Sequence, residues 1–512
     1  MSHTNDAATG PETHSPAEGD NQADAHEAAL QELLASPLLA GPDPEVVTDI
    51  KTTPEQEREA LTSEALAEAE VAEIYRQILA RAPEHDFDPK IARVARACEL
   101  MGDPQQACPV VHITGTNGKT STARIVEALL LARGLRVGRF TSPHLHDVRE
   151  RICIDGEPIA AEAFVAAYRD VEPYLQMVDE ESQRDGGPRL SFFEVFTLMA
   201  FTAFADAPVD VMVLEVGMGG SFDATNVADG DVAVITPIAR EHERYLGSTL
   251  TEIAATKAGI IKPGAQVICA AQEEQVFHII ADAAAKAGAR LWVEGTDMDV
   301  VQRDIAVGGQ ALTLRTPAAV YEDIPLALHG EHQAHNALLA LAAVEALFAG
   351  RALDGGIVEQ ACASVRSPGR LEVVRTSPTI VVDAGHNPHG VEATVATLEE
   401  TFGFSRLVAV TSALADKNVE AMLAALEPHV EEVVLTSINS PRALDIGELT
   451  EIATDVFGAD RVHVQPALPD ALQVAADLAE SGSEPAATTG VLVIGSVYLA
   501  AAAREVCGKR KA

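Results

Sequence analysis

Between Val110 and Thr122 the chain reads Val-Val-His-Ile-Thr-Gly-Thr-Asn-Gly-Lys-Thr-Ser-Thr, which gathers the donors a phosphate group needs into a few residues. Backbone N–H groups of a turn through Gly115, Thr116, Asn117 and Gly118 can face an anion. The Lys119 ammonium can reach the outer phosphates, and the Thr120 hydroxyl can ligate magnesium. ATP with Mg2+ is the ligand these residue types imply. The spacing is narrower than the general nucleotide loop, because the position five before Gly118 is Ile113 rather than glycine.

Such a turn works only between a strand and a helix, and both are legible. The β-branched run Val110, Val111, Ile113 predicts a buried strand, and the apolar spacing from Ala123 to Leu130 predicts a helix whose N-terminus adds partial positive charge. A strand over Val137–Phe140 delivers Thr141-Ser142-Pro143, placing the Ser142 hydroxyl at a strand end facing the phosphates unless this is an ordinary turn. Val211–Glu215 is a strand apolar on both faces that ends in a carboxylate; Glu215 there suits a metal near the phosphates, or a cap. Val232–Thr236 leads to Arg240-Glu241-His242, and Lys257 follows on a helix; alone, His242 reads as a loop residue and Lys257 as a solvated one.

Elsewhere the pattern predicts a helix over Ala161–Leu175, an acidic glycine loop over Asp179–Gly187, and an apolar helix opened by Ser191-Phe192-Phe193-Glu194 and running through Phe204. Asn336 is expected to start an Ala/Leu helix that Gly350 stops. His332, Gln333 and Asn336 share its face, for hydrogen bonds to a base or for capping. A second run of alternating strands and helices begins near Arg366 and reaches Ser496. A loop of small residues is expected over Ser481–Thr489.

The 512 residues suffice for two or three domains, and a 47% hydrophobic content gives each a core. A net charge of −40 argues against nucleic acid, whose backbone requires a Lys/Arg surface. Six scattered cysteines without CxxC spacing read as reduced thiols, and the apolar runs fall short of the ~20 residues a membrane span needs. A cytoplasmic monomer is the expectation. Residues 1–68 are crowded with Asp and Glu against only Lys51 and Arg58, so an acidic tail, disordered or loosely helical, is expected, with the pattern tightening into helix from Ser63. From Ala69 to Met101 two helices are expected, joined by a loop over Arg81–Pro89.

Taken together and in order, Thr114–Ser121, Thr141–Leu145, Leu214–Val227, Thr256–Ile261, His332–Asn336, Pro368–Glu372, Asp383–Pro388, Leu414–Lys417 and Gly495–Leu499 resemble the bifunctional dihydrofolate synthase/folylpolyglutamate synthase family of the muramyl-ligase superfamily. The resemblance covers about residues 70 to 507. It implies an α/β protein with a P-loop-containing ATPase domain on a parallel sheet (69–365) and a smaller C-terminal Rossmann-like α/β domain (366–512). The implied reaction is ATP-dependent amide ligation: the benzoate of dihydropteroate or the terminal glutamyl carboxylate of a reduced folate becomes an acyl phosphate, which the amine of L-glutamate attacks.

By the same resemblance, Gly115–Ser121, Asn336, Arg370 and Asp383 bind the nucleotide. Thr120, Ser142 and Glu215 hold one Mg2+, and His242 with a carbamylated Lys257 holds a second. The acceptor's ring falls to Ser191, Phe192, Phe193, Glu194, Phe222, Asp223 and Ala224, the aromatics being equally plausible as core. The chain departs from the family pattern in carrying Ser221 for Arg, Glu241 for Asp after an added Arg240, and Ala384-Gly385 in reversed order. Two alternatives remain in view: a muramyl-peptide-type ligase, and an ATP-dependent switch that forms no bond.

Overall fold

The computed structural model describes residues 54–82, 90–482, 485 and 488–509, with side chains from residue 63. Residues 1–53 of the expected tail, residues 83–89 of the expected loop after Arg81, and parts of the small-residue loop after Ser481 lie outside the described residues.

The first lobe is a sheet of eight strands: β1 Val110–Thr114, β2 Val137–Phe140, β3 Ile152–Ile154, β4 Glu157–Pro158, β5 Val211–Glu215, β6 Val232–Ile235, β7 Gln266–Cys269 and β8 Arg290–Val293. Their order is β4-β3-β2-β5-β1-β6-β7-β8, parallel except for the β3 and β4 edge. Every residue of β1 and β5 is buried, as central parallel strands covered by helices on both faces require. β1 therefore lies at the middle of the sheet, and its C-terminal end, flanked by β5 and β6, is the crevice where such folds bind ligands. A three-stranded antiparallel sheet follows, of β9 Asp299–Ala306, β10 Gly309–Arg315 and β11 Val320–Leu326.

The second lobe holds β12 Glu372–Thr376, β13 Thr379–Val382, β14 Arg406–Thr411, β15 Glu432–Leu435, β16 Val462–Val464 and β17 Thr489–Ile494. These pair in the order β12-β13-β17-β14-β15-β16, with only β12 antiparallel. The two main sheets have separate apolar cores, one built around β1 and β5 and another around β14 and β17.

Three expectations need correction. Of the two readings of the acidic segment the disordered one fails from Pro54 on, where a helix begins that runs to Leu79, earlier than the start expected near Ser63. Ala67, Val71, Ile74 and Ile78 make one apolar stripe at helical spacing, buried with the helices Ala161–Arg184 and Phe192–Asp206, and this burial outweighs the acidic composition. The helix from Ala161 does not end at Leu175 but continues to Arg184, so most of the expected glycine loop is helical. Val178 and Asp179 are buried there, and Asp179 accepts bonds from Arg81 Nη1 (2.9 Å) and Leu190 N (2.7 Å). Finally, the Ala/Leu helix starts at Glu331, after Gly330 at φ 98°, and Asn336 lies inside it rather than capping it.

All six cysteines are free, and no described helix is long and apolar enough to cross a membrane.

Candidate active site

The two lobes enclose a cleft of about 1740 Å³. Its floor is the turn between β1 and the helix Lys119–Ala132. Two glycines there cannot be replaced without displacing neighbours. A Cβ on Gly115 would fall 1.8 Å from Thr236 Oγ1, and one on Gly118 (φ 89°) would fall 2.4 Å from Asn336 Oδ1. Asn336 is held for this contact by Gln333, whose Oε1 accepts from its Nδ2 at 3.0 Å. Gly118 precedes the helix with no side-chain cap, so the first helical N–H groups remain available to an anion.

Lys119 Nζ donates back to the carbonyls of Gly115 (3.1 Å) and Thr116 (3.0 Å). Lys257 Nζ, from the helix Leu250–Lys257, donates to the same Gly115 carbonyl at 2.6 Å. Lys257 is buried behind the turn rather than lining the cleft. Burial, reinforced by the charge of Lys119, pushes its amine down to about 7.

Beside Lys119 the Thr120 hydroxyl donates to both oxygens of Glu215 (2.9 and 3.0 Å), and the Ser142 amide reaches Glu215 Oε2 at 3.3 Å. Burial raises the Glu215 carboxyl against the opposing charge of Lys119. A buried carboxylate with two hydroxyls at the cleft wall is a hard-oxygen donor set that fits Mg2+. No three His, Cys, Asp or Glu side chains converge as a metal cage among the described residues, and Mg2+ characteristically takes one or two carboxylates and completes its shell with phosphate and water. His242 (φ 53°) also lines the cleft, and burial pushes its imidazole down to about 4, which keeps it in the neutral form a ligand needs.

Next to it, Glu241 is claimed by the other lobe, its Oε1 accepting from Lys417 Nζ at 2.9 Å and His386 Nε2 at 3.1 Å. Burial alone would raise Glu241, but the His386 hydrogen bond and the charges of His386 and Lys417 hold it well below the carboxylate range. At the phosphate turn, Asn117 Nδ2 donates to Asn387 Oδ1 (3.3 Å) and Asn387 Nδ2 donates to Asn117 Oδ1 (3.0 Å). Asn387 Oδ1 also accepts from Gly390 N at 2.8 Å, capping the helix Pro388–Thr401. Arg370 and Asp383 line this side; the Asp383 oxygens accept from the amides of Leu371 (2.9 Å) and Gly385 (2.6 Å), so this carboxylate shapes the loops around it.

The expected acceptor wall divides. Ser191 and Glu194 form a reciprocal cap on the helix Phe192–Asp206, and Glu194 is paired with Arg93 at 3.1 Å in a buried bridge at the cleft. Phe193 borders the cleft while packing on Phe140, and Phe222 is 43% exposed within it. Phe192 does not line the cleft: one residue earlier on the helix and so turned about 100° from Phe193, it packs on Phe196 (4.8 Å) under Arg151 (5.0 Å). Asp223 lines the wall as a cap on Thr225, with burial pushing its carboxyl up to about 6, and Ala224 follows it. Ser221 donates to the Thr256 carbonyl (3.0 Å) and lies so close to Gly259 that a Cβ there would clash with it.

Sequence reasoning left Arg93 unremarked and gave no site role to Asn387, His386 or Lys417. A lone Lys in Leu-Ala-Asp-Lys carries no sign that its partner is Glu241, 176 residues away.

Residues 188–344 match the Mur ligase middle domain and residues 369–497 match the Mur ligase glutamate ligase domain. The chain is 48% identical over 448 residues to a dihydrofolate synthase/folylpolyglutamate synthase of Mycobacterium tuberculosis, covering 84% of this chain and 92% of that protein. A solved folylpolyglutamate synthase of the same organism, complexed with ADP and AMPPCP, superposes with TM-score 0.83 at 46% identity, covering 87% of this chain and all of that one. A bifunctional folylpolyglutamate synthase/dihydrofolate synthase of Yersinia pestis, solved with AMPPNP and a Mn ion, superposes with TM-score 0.70 at 28% identity over 82% of this chain and 94% of its own. With the phosphate turn, the carboxylate at the end of β5 and the second lobe all in place, the chain belongs to the dihydrofolate synthase/folylpolyglutamate synthase family of Mur ligases.

Proposed function

We propose that the chain is an ATP-dependent ligase that joins L-glutamate to dihydropteroate and to the glutamyl carboxylate of reduced folates through an acyl phosphate. The observation that carries the reading is the placement of the phosphate turn, Glu215 and an aromatic wall at Phe222 in one cleft whose opposite side belongs to the second lobe.

In this reading the N-terminus of the helix after Gly118 receives the phosphates, Lys119 leaves its carbonyl partners for the β and γ phosphates, and Arg370 and Asn336 contact the nucleotide. Thr120, Glu215 and Ser142 would hold one Mg2+ and His242 would serve a second, and ions bound there would supply charge neutralisation of the phosphates during attack by the acceptor carboxylate. Phe222, Phe193 and the Arg93–Glu194 ion pair border the acceptor. Attack on the γ-phosphate expels ADP and leaves a carboxyl carbon with phosphate as leaving group. The glutamate amine then adds to that carbon, loses a proton and displaces the phosphate. A cleft closed by both lobes keeps water from the acyl phosphate.

Lys257 enters as a carbamate: its neutral amine adds to CO2 and releases a proton, which reverses the local charge. Burial supports this, since an amine near 7 is half neutral at ordinary pH. The reading divides the chain at 69–365 and 366–512, supported by the separate sheets, and takes it as a cytoplasmic monomer. Phosphate release should require ATP, glutamate and a pteridine acceptor together; equal release with either of the last two left out would reject it.

A further inference from the structure

Two guanidinium groups in the cleft have no assigned partner. Arg240 and Arg244 are both exposed and both line it. Among the described residues neither forms an ion pair or a hydrogen bond; Arg244 only lies 5.4 Å from the ring of its neighbour Tyr245. The nearby acids do not claim them, for Glu241 is taken by Lys417 and His386.

Their positions span the distance between the two halves of the reaction. Ala239, the residue before Arg240, is tied to the phosphate turn by a pair of bonds with Thr116, its carbonyl accepting from Thr116 Oγ1 and its amide donating to that oxygen, each at 3.0 Å. Arg244 lies on the short helix Glu243–Leu246, whose Leu246 packs onto Gly219, in the loop that carries Phe222. Arg240 thus follows a residue tied to the phosphate turn, and Arg244 sits on a short helix packed against the loop that carries Phe222.

An acceptor threaded between those points differs in charge according to its length. Dihydropteroate has a single carboxylate, the one that reacts. Each γ-linked glutamate adds a free α-carboxylate between the ring and the reacting end. Guanidinium forks suit such groups.

Resting on the ligase reading above, we propose that Arg240 and Arg244 bind the α-carboxylates of the acceptor's γ-glutamyl tail and so set the preference for glutamylated folates over dihydropteroate.

The test compares KM for dihydropteroate and for tetrahydrofolate mono-, di- and triglutamate in the wild type, Arg240→Gln, Arg244→Gln, the double variant and Arg240→Lys. In the double variant the KM for the triglutamate should rise about tenfold more than the KM for dihydropteroate, the scale of one charge-assisted contact. Arg240→Lys should recover part of that difference, and added salt should weaken triglutamate binding more in the wild type than in the double variant. Equal changes for all acceptors would overturn the proposal. A wild type that uses dihydropteroate and no glutamylated folate would overturn it while leaving the ligase reading intact. Failure with every acceptor would overturn both.

Discussion

Lys119 and Lys257 point their ammonium nitrogens at one carbonyl oxygen, that of Gly115, from 3.1 and 2.6 Å. Burial first, and then the neighbouring charge of Lys119 at the same acceptor, pushes the Lys257 amine down to about 7. Lys257→Ala should therefore lose most turnover, and active wild-type protein should carry an increment of about 44 Da by native mass spectrometry, the mass of added CO2. Active protein without the increment would refute the carbamate.

The same shift has a signature in stability. A depressed amine contributes stability that is present above its ordinary value of 10.5 and lost as pH falls toward about 7. In CO2-free buffer, Lys257→Met should gain on the wild type as pH falls through that window and hold a constant advantage below it. Denaturant melts at several pH values would reveal this; a pH-independent difference would contradict it.

Glu215 poses the opposite trade. Burial raises its carboxyl, so the ionised form at neutral pH costs the fold stability unless a cation accompanies it. Glu215→Gln should melt no lower than the wild type without Mg2+, while its turnover falls about 100-fold and its Mg2+ requirement rises. A Mg2+ titration of ADP formation decides the matter, an unchanged midpoint counting against the site.

Between the lobes, Glu241 holds two basic groups of the second lobe. Glu241→Gln leaves Lys417, only 9% exposed, without its counter-charge and should cost about 2 kcal/mol or more. Because the Glu241 carboxyl lies well below its ordinary 4.5, its contribution is present above that value and fades only as pH falls below it. The deficit of the variant should thus be constant from pH 8 to about 5 and shrink in stronger acid, which thermal melts can follow.

Gly118→Ala forces a side chain onto φ 89° and sets its Cβ 2.4 Å from Asn336 Oδ1. The backbone strain is about 1 to 2 kcal/mol, small for a fold of this size, yet it falls on the turn that receives the phosphates. Weaker binding of a fluorescent ATP analogue at nearly native circular dichroism is the expected result.

Much of this architecture was legible because the central elements obey local rules. β1, the phosphate turn and its helix announce themselves by β-branched residues, glycines and apolar spacing, and the Ser191/Glu194 pair carries the cap signature before an apolar run. What local pattern could not supply was pairing across distance. Phe192 and Phe193 are adjacent and alike, yet only the second borders the cleft, since successive helical residues point about 100° apart and the packing of the whole helix sets which one faces it. The helix was legible where Ile74 and Ile78 fall, but its start at Pro54 hid behind acidic composition, and its stripe of Ala67, Val71, Ile74 and Ile78 has meaning only against the helices it covers. Lys417 and Asn387 belong to the site through partners far back in the chain.

The amide exchange between Asn117 and Asn387 brings together the starts of two helices, Lys119–Ala132 and Pro388–Thr401, that belong to different halves of the molecule. An anion lodged at that junction is attracted by both helix dipoles at once. A bound triphosphate at that junction would therefore be held from both halves of the molecule, tying the two lobes together while it is in place.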